Sequence, residues 1–481
     1  MKELSTLLHG VQVVAREGAA EVQVAELVFD SRRVVAGSCF FAVRGTATDG
    51  HRFIPMALEQ GAVAVVCEEL PAKIDPRVAY VVVEDSEQTM ACMASAFYGD
   101  PSRELKLVGI TGTNGKTTTA TLLYELVRKL GHRAGLISTV VYKIDDREIP
   151  STHTTPDTIR LNKMLREMVD VGCDYCFMEC SSHAIVQKRT HGLSFAGGLF
   201  SNLTHDHLDY HKTFAEYLKA KKAFFDALPK EAFVVTNSDD RNGSVMVQNT
   251  RARVKYYSLR SMADYRAKIT EMHLDGMLLQ INGRELWTSL TGRFNASNLL
   301  VVYATAVELG FQAEEVLTAM SLLSAVSGRF ECIRSASGVI GVGDYAHTPD
   351  ALENVLQTIQ EIQSGSGALV VVCGCGGNRD REKRPEMARI ATVYATTTIL
   401  TSDNPRHEDP EAILDEMEQG VPSGARYLRI TDRAAAIRTA VMLSKRGDVV
   451  LVAGKGHENY QIIGDEKHPF DDHEELRKAF E

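Results

Sequence analysis

Residues 1–103 alternate short apolar runs (VQVAELVF, CFFAV, AVAVVC, AYVVV) with Gly and Asp turns and close at the punctuation GDPSRE. This is the pattern of strands in a small α/β domain. The pattern changes at Leu105. The stretch LKLVGITGTNGKTTTATLLYELVRKLG starts as an uninterrupted apolar strand, passes through a Gly-rich turn and settles into helical periodicity. Strand and helix then alternate to about residue 327. After VSGRFE, the runs GVIGVGDYA, ALVVVCG, TTTILTSDN and DVVLVAGKG each lead into a helical stretch, a doubly wound, Rossmann-like pattern. The expectation is an α/β chain of three domains, at 1–103, 104–327 and 328–481. The middle one should be an ATPase of the P-loop type with a mainly parallel sheet. Length agrees, because 481 residues exceed what one hydrophobic core supports, roughly 250–300 residues.

Charge narrows the partners. Lys plus Arg number 53 against 63 Asp plus Glu, a net charge of −10, which argues against a nucleic-acid surface or an anionic membrane face. An anionic substrate therefore needs a local cluster of cations. The start, MKELSTLLHGVQVV, has one Lys and an apolar stretch broken by His9 and Gly10, so it does not read as a signal peptide. No window reaches the ~18 apolar residues of a membrane span. Nine cysteines, an odd number without an export signal, read as reduced thiols of a cytoplasmic protein. Cys173, Cys176 and Cys180 form a CxxCxxxC run, yet the surrounding DYCFME reads as a buried strand with small thiols packed inside.

The most specific chemistry follows the apolar run LVGI: Thr111-Gly112-Thr113-Asn114-Gly115-Lys116-Thr117-Thr118, a Gly-rich turn opening a helix. Such a turn aims backbone N–H groups at phosphate oxygens; Lys116 reaches the outer phosphates and Thr117 can ligate Mg²⁺. Ile110 stands where the strict phosphate-loop pattern has its first Gly. Glu179 ends the run YCFME and so falls at the carboxyl edge of the sheet, where α/β proteins bind ligands. The segment SNLTHDHLDYH packs His205, Asp206, His207, Asp209 and His211 together, a metal-like group or a polar loop in which some members only hydrogen-bond. By spacing alone, Lys221 in EYLKAKKAFF is a surface lysine on an amphipathic helix.

Taken in order, TGTNGKTTT, HTTPDT, ECSSHA with QKR, NLTHDHLDYH, Ala220-Lys221, NSDD, GRFNASN, SGRFE, DYAHTPDAL, GCGGNRDREKRP, DNPR and GKGHENYQ resemble the Mur ligase family over about residues 28 to 461. These are the ATP-dependent amino-acid-adding enzymes of bacterial peptidoglycan precursor synthesis. The resemblance implies that ATP phosphorylates a substrate carboxylate, an amine attacks the acyl phosphate, and ADP and phosphate leave. It implies two Mg²⁺ ions, one held by Thr117 and Glu179, the other by His207 and a Lys221 converted by CO₂ to a carbamate. Lys116 and Arg329 are then the cations on the transferred phosphate, with Asn298 on the adenine and Asp344 on the ribose. Gly112, Thr113, Asn114, Gly115 and Thr118 complete the ATP site. On the nucleotide-sugar side, UDP-N-acetylmuramoyl-L-alanyl-D-glutamate, the resemblance points to Ser31, Thr154, Thr155, Ser181, Gln187 and Arg189. Asp30 and Arg32 beside Ser31 also read as a simple turn pair. His153 occupies a position where a smaller amide is expected.

Ser402-Asp403-Asn404-Pro405-Arg406 decides the amino acid within this resemblance, since DNPR looks like the marker of members that add meso-diaminopimelate. Diaminopimelate differs from lysine by a second carboxylate, which an arginine fork can grip bidentately. A site built for that group can reject the analogue lacking it by roughly 10⁴-fold. Arg379, Gly454 and Glu458 should complete the pocket with Asp403, Asn404 and Pro405; Asn378 stands where the family often shows Asp. The enzyme is expected to be monomeric. Alternatives are a lysine-adding member, a folylpolyglutamate-type synthase, and a nucleotide-binding regulator without ligase activity. The regulator needs neither the metal ligands nor the Arg406 pocket.

Overall fold

The computed structural model describes residues 1–45, 48–204, 206, 208–363 and 367–481, with the backbone alone for 208 and 209. Among the described residues the chain forms three α/β domains, each around its own sheet. In the first, Glu26–Val28, Ser38–Phe41, Ala64–Cys67 and Ala79–Val83 run parallel, and Val13–Gly18 closes the edge antiparallel. Apolar clusters cover both faces, one around Phe41 and Val81 and the other around Phe40 and Tyr80. The alternation of their neighbours along these strands puts successive side chains on opposite faces. The run VQVAELVF, which reads as one strand, is split: Gln23–Val24 pairs with Lys2–Glu3, whereas Glu26–Val28 joins the five-stranded sheet. The chain changes sheets at Ala25, whose N–H donates to the Gly37 carbonyl.

The central sheet has eleven strands. Its middle is parallel, with Lys106–Thr111 between Tyr175–Glu179 and Gly197–Phe200, so the phosphate loop leaves from the centre of the sheet. Helices Lys116–Lys129 and Arg293–Glu308 pack together over one face. Helices Thr158–Asp170 and Phe214–Asp226 contribute to the cluster on the other. Strand–helix alternation does not persist to residue 327. Tyr265–His273, Gly276–Ile281 and Arg284–Thr288 form an antiparallel meander. Asn282 and Gly283, at φ 46° and 85°, make the tight turn that Asn-Gly favours between strands.

In the third domain Ile340–Asp344, Val449–Ala453, Leu369–Cys373, Thr397–Leu400 and Tyr427–Arg429 are parallel, with Glu331–Arg334 antiparallel at the edge. Both faces are buried, which explains why these runs read as continuously apolar rather than alternating. Cys173, Cys176 and Cys180 lie within or beside the buried strand Tyr175–Glu179, and burial pushes their thiols up. No helix among the described residues is long and apolar enough to cross a membrane.

Candidate active site

A cavity of about 680 Å³ opens between the central and third domains, at the carboxyl ends of both parallel sheets. This is where α/β sheets place ligands. Six Lys and Arg side chains line it, Lys116, Lys221, Arg329, Arg379, Lys383 and Arg406. Five carboxylates, Glu179, Asp206, Asp380, Asp403 and Glu458, share the lining with them, so the acidic chain gathers cations here without making the cavity uniformly basic.

At one end is the phosphate loop. Gly115 sits at φ +86° and precedes helix Lys116–Lys129; a Cβ there would meet Asn298 Oδ1 at 2.6 Å, so both conformation and space require glycine. Thr113 N donates to the Asn202 carbonyl (2.8 Å), Asn114 N to Asn202 Oδ1 (2.9 Å), and Ser201 Oγ to the Asn114 carbonyl (2.6 Å). The neighbouring strand end therefore shapes the loop. Lys116 Nζ rests on the carbonyls of Gly112 (3.0 Å) and Thr113 (2.8 Å), and burial lowers its pKa. Gly112 lies in the loop and Thr118 in the first turn of helix Lys116–Lys129, both outside the cavity lining, while Thr117 presents its hydroxyl to Arg329 Nη2 across the domain boundary (3.3 Å).

Glu179 is 1% exposed; its carboxylate accepts from Thr139 N (2.7 Å) and Thr139 Oγ1 (3.1 Å). Thr139 Oγ1 in turn reaches Thr154 Oγ1 at 3.0 Å. Thr155 Oγ1 donates to the Glu179 carbonyl (2.7 Å) and accepts from Ser181 N (3.2 Å), and Ser181 Oγ caps the short helix Ser182–Val186. Arg189 joins this group through the Thr155 carbonyl (2.7 Å) and the Gln187 amide oxygen. Thr154 and Ser181 line the cavity; Gln187 and Arg189 stand behind it. Ser31 is in the first domain, buried in its 3-10 turn, where Asp30 and Arg32 do pair (2.8 Å).

The reading of Lys221 as a surface lysine is wrong: it is 1% exposed, with Nζ donating to the Gly112 carbonyl at 2.7 Å and lying 4.7 Å from the Tyr217 ring centre. The periodicity of its helix marks a polar face, but that face abuts the phosphate loop. Burial first, then nearby Lys116, holds its ammonium well below the usual lysine range. His205 and His207 lie outside the described residues, as does the Asp209 side chain. Asp206 lines the cavity, and His211 is buried against Ser182 Oγ (2.8 Å).

Arg329 lines this cavity between the ends, whereas Asn298 and Asp344 do not line it. Arg329 stacks on Tyr345 at 4.7 Å. Asp344 accepts from Phe330 N (2.7 Å), and burial raises its carboxyl to about 6. Asn298 Nδ2 donates to Asn295 Oδ1 at 3.3 Å. Asn295 and Phe330 line a second cavity of about 310 Å³ with Leu274, Thr291 and Ile340.

At the far end, Asp403, Asn404, Arg406, Arg379, Gly454 and Glu458 share the main cavity. Pro405 turns its carbonyl toward Gly377 instead. Asn404 Nδ2 donates to Glu458 Oε2 (2.8 Å). Behind them Lys455, fully buried, donates to Asn404 Oδ1 (2.9 Å) and the Tyr460 carbonyl (2.8 Å), with Asp403 Oδ1 at 3.5 Å. Burial raises Glu458, helped by Asp403, and lowers Arg406, helped by Arg379. An acid and a base thus face one small space, which suits a zwitterion. His347 and His457 also line the cavity and are held neutral by burial, each at about 4.

Sequence reasoning passed over Asn202, Thr139, His347, Lys383 and Lys455. The signal for Lys455 and His347 was present in GKGHE and DYAHTP. Nothing local marked Thr139.

Models of three protein families match successive segments: "Mur ligase family, catalytic domain" over residues 23–98, "Mur ligase middle domain" over 110–306, and "Mur ligase, glutamate ligase domain" over 328–456. The chain is 54% identical over 480 residues to the UDP-N-acetylmuramoyl-L-alanyl-D-glutamate–2,6-diaminopimelate ligase of Parabacteroides distasonis, covering 99% of each. A solved structure of a ligase of that same name shares 34% identity at a TM-score of 0.69, covering 95% of this chain and 94% of that one. The MurF ligase of Thermotoga maritima, solved with ADP, has the same fold at 20% identity and a TM-score of 0.63, covering 95% and 96%.

Proposed function

The chain belongs to the Mur ligase family, and from that premise we propose that it joins meso-diaminopimelate to the D-glutamate of UDP-N-acetylmuramoyl-L-alanyl-D-glutamate. The reaction is an ATP-dependent amide ligation of peptidoglycan precursor synthesis, carried out in the cytoplasm by a monomer. The observation that carries this reading is that one cavity joins the phosphate loop at one end to the Arg406–Glu458 pocket at the other.

The units 1–103, 104–327 and 328–481 divide the work, taking the nucleotide sugar, ATP and the amino acid respectively. Ser31 serves the uridine side, and Thr154, Thr155, Ser181, Gln187 and Arg189 serve the dipeptide arm. The ATP base enters the second cavity, since its lining residues Asn295 and Phe330 hydrogen-bond to Asn298 and Asp344. The outer phosphates lie over Gly112–Thr118, where Lys116 leaves the loop carbonyls to meet them and Arg329 approaches from the third domain.

The residues present fit divalent cations. Glu179 is a buried carboxylate oriented by Thr139, and it shares the cavity with the Thr117 hydroxyl, a hard oxygen set suited to Mg²⁺. Lys221, its amine favoured neutral by burial, is the nucleophile that carbamate formation with CO₂ requires. Bound there, two Mg²⁺ ions would neutralise phosphate charge; Thr117 and Glu179 would hold one, and His207 and carbamylated Lys221 the other.

The glutamate carboxylate oxygen attacks the γ-phosphorus and ADP leaves. The diaminopimelate amine then attacks the carbonyl carbon of the acyl phosphate, and phosphate departs with that oxygen. Positioning and charge carry such chemistry. Glu458 holds an ammonium and Arg406, with Arg379, the distal carboxylate. Lysine would leave Arg406 facing another cation, which disfavours the lysine-adding alternative. With the glutamate carboxylate labelled with ¹⁸O, label should appear in the released phosphate and the product should contain diaminopimelate. Unlabelled phosphate would contradict the acyl-phosphate route.

A further inference from the structure

The two arginines that face the amino acid stand on loops, 374–380 after strand Leu369–Cys373 and 401–408 after strand Thr397–Leu400. A loop arginine discriminates between substrates only if its backbone is fixed. These loops are laced to each other: Gly377 N donates to the Asn404 carbonyl (2.9 Å), His407 N to Asn378 Oδ1 (3.2 Å), and Arg406 Nη1 to the Gly377 carbonyl (2.8 Å). They also touch so closely that a Cβ on Gly377 would sit 1.9 Å from the Pro405 carbonyl oxygen. Asn378 and Arg406 both hold positive φ, 52° and 53°, a left-handed state that strains non-glycine residues and persists only when the surroundings over-determine it.

On one side Arg406 is held by residues 460–464, its N–H donating to the Ile462 carbonyl (3.0 Å) and its carbonyl accepting from Gly464 N (2.7 Å); on the other, one side chain ties both loops. Arg384, on helix Lys383–Tyr394, is 0% exposed and lies behind the cavity lining. Its Nη1 and Nη2 grip the two oxygens of Glu408, at 2.9 Å each. Nη2 also reaches the Gly376 carbonyl (3.2 Å), and Nη1 reaches Glu416 (2.8 Å) on helix Pro410–Glu418. Glu408 in addition accepts from Asn378 N. A single guanidinium therefore ties the Arg379 loop, the Arg406 loop and a helix together, using the planar fork that a lysine lacks.

We propose that Arg384, acting through Glu408, is a positioning residue for amino-acid selection: it fixes the separation and aim of Arg379 and Arg406 without touching the substrate. This rests on the reading of that pocket as the diaminopimelate site. The clamp stays charged at working pH, since Arg384 holds the Glu408 carboxyl down at about 2.

The test compares Glu408→Gln, Arg384→Met and Arg384→Lys with wild type, measuring kcat and the KM for diaminopimelate and for ATP, and the preference for diaminopimelate over lysine. Glu408 is 23% exposed, so its variant tests the clamp even if Arg384→Met fails to fold. In Glu408→Gln the KM for diaminopimelate should rise about tenfold, in the range expected of a displaced binding group. The KM for ATP should stay within about twofold, and the preference over lysine should fall by a similar factor to the diaminopimelate effect. Arg384→Lys should recover part of what Arg384→Met loses. Equal rises in both KM values, or an unchanged diaminopimelate KM in Glu408→Gln, would overturn the proposal. A wild type that ignores diaminopimelate would instead overturn the reading on which it rests.

Discussion

At one end of the cleft, eight consecutive residues from Thr111 to Thr118 carry the phosphate-binding sequence, and the neighbouring Ser201 and Asn202 brace the loop's backbone with both side chains and main chain. At the other end, the amino-acid pocket is assembled from residues 374–380, 401–408 and 454–458, held by side chains buried behind them: Lys455 and Arg384 in this structure. A phosphate is met by a turn that nearly any α/β sheet can carry. A particular zwitterion needs charges fixed at separate points, which one short segment cannot supply. The difference teaches that the first end is built from a few local residues, whereas the charges lining the second, Arg379, Arg406 and Glu458, come from separate segments and, on our proposal, are aimed by groups behind them.

That contrast breaks most visibly at the phosphate end. Lys116→Ala should reduce kcat/KM by about 10³-fold whichever amino acid is supplied, as read from steady-state phosphate release. Lys221→Ala should abolish turnover while both substrates still bind, measured by calorimetry beside the assay. Full activity in that variant would remove the carbamate from the account.

Arg406→Lys sharpens the other side. A point charge replaces a fork, so the KM for diaminopimelate should rise by about 10–100-fold, with that for ATP nearly unchanged. Equal effects on the two would make Arg406 structural.

These ends were not equally legible in the sequence. The phosphate loop declared itself because strand, glycines, lysine and helix are contiguous. Lys221 misled: its spacing fits a solvent-facing polar stripe, and only the packing of helix Phe214–Asp226 against Gly112 shows that the stripe is the cavity floor. The meander at 265–288 was missed although Asp275-Gly276 and Asn282-Gly283 mark its turns, because apolar alternation there was read as part of a strand–helix repeat. Arg384 looks like an ordinary charge in the polar string NRDREKRP, and Lys455, though flagged by GKGHE, carries no local mark of burial. Their burial follows from contacts with residues 24 to 51 positions away along the chain, which no local pattern carries.

The smallest expected effect concerns Asp344, buried behind Phe330. Its carboxyl is raised by burial from 3.8 to about 6, so the folded state binds the proton more tightly than the unfolded one. The cost of burying the charge is absent below about pH 4, grows as pH rises and is complete above pH 6. Asp344→Asn removes that cost. Relative to wild type, its stability should improve by about 2–3 kcal/mol between pH 4 and pH 7.5, seen as a shift in the difference between thermal midpoints, while ATP binding weakens. A difference that does not move with pH would contradict the assignment.

The central claim is most directly tested by phosphate release from the purified protein with ATP, Mg²⁺ and UDP-N-acetylmuramoyl-L-alanyl-D-glutamate, run in parallel with meso-diaminopimelate, with L-lysine and with no amino acid. The account predicts release that requires diaminopimelate. Release with lysine in its place would contradict the role given to Arg406, and no release with either amine would contradict the ligase assignment itself.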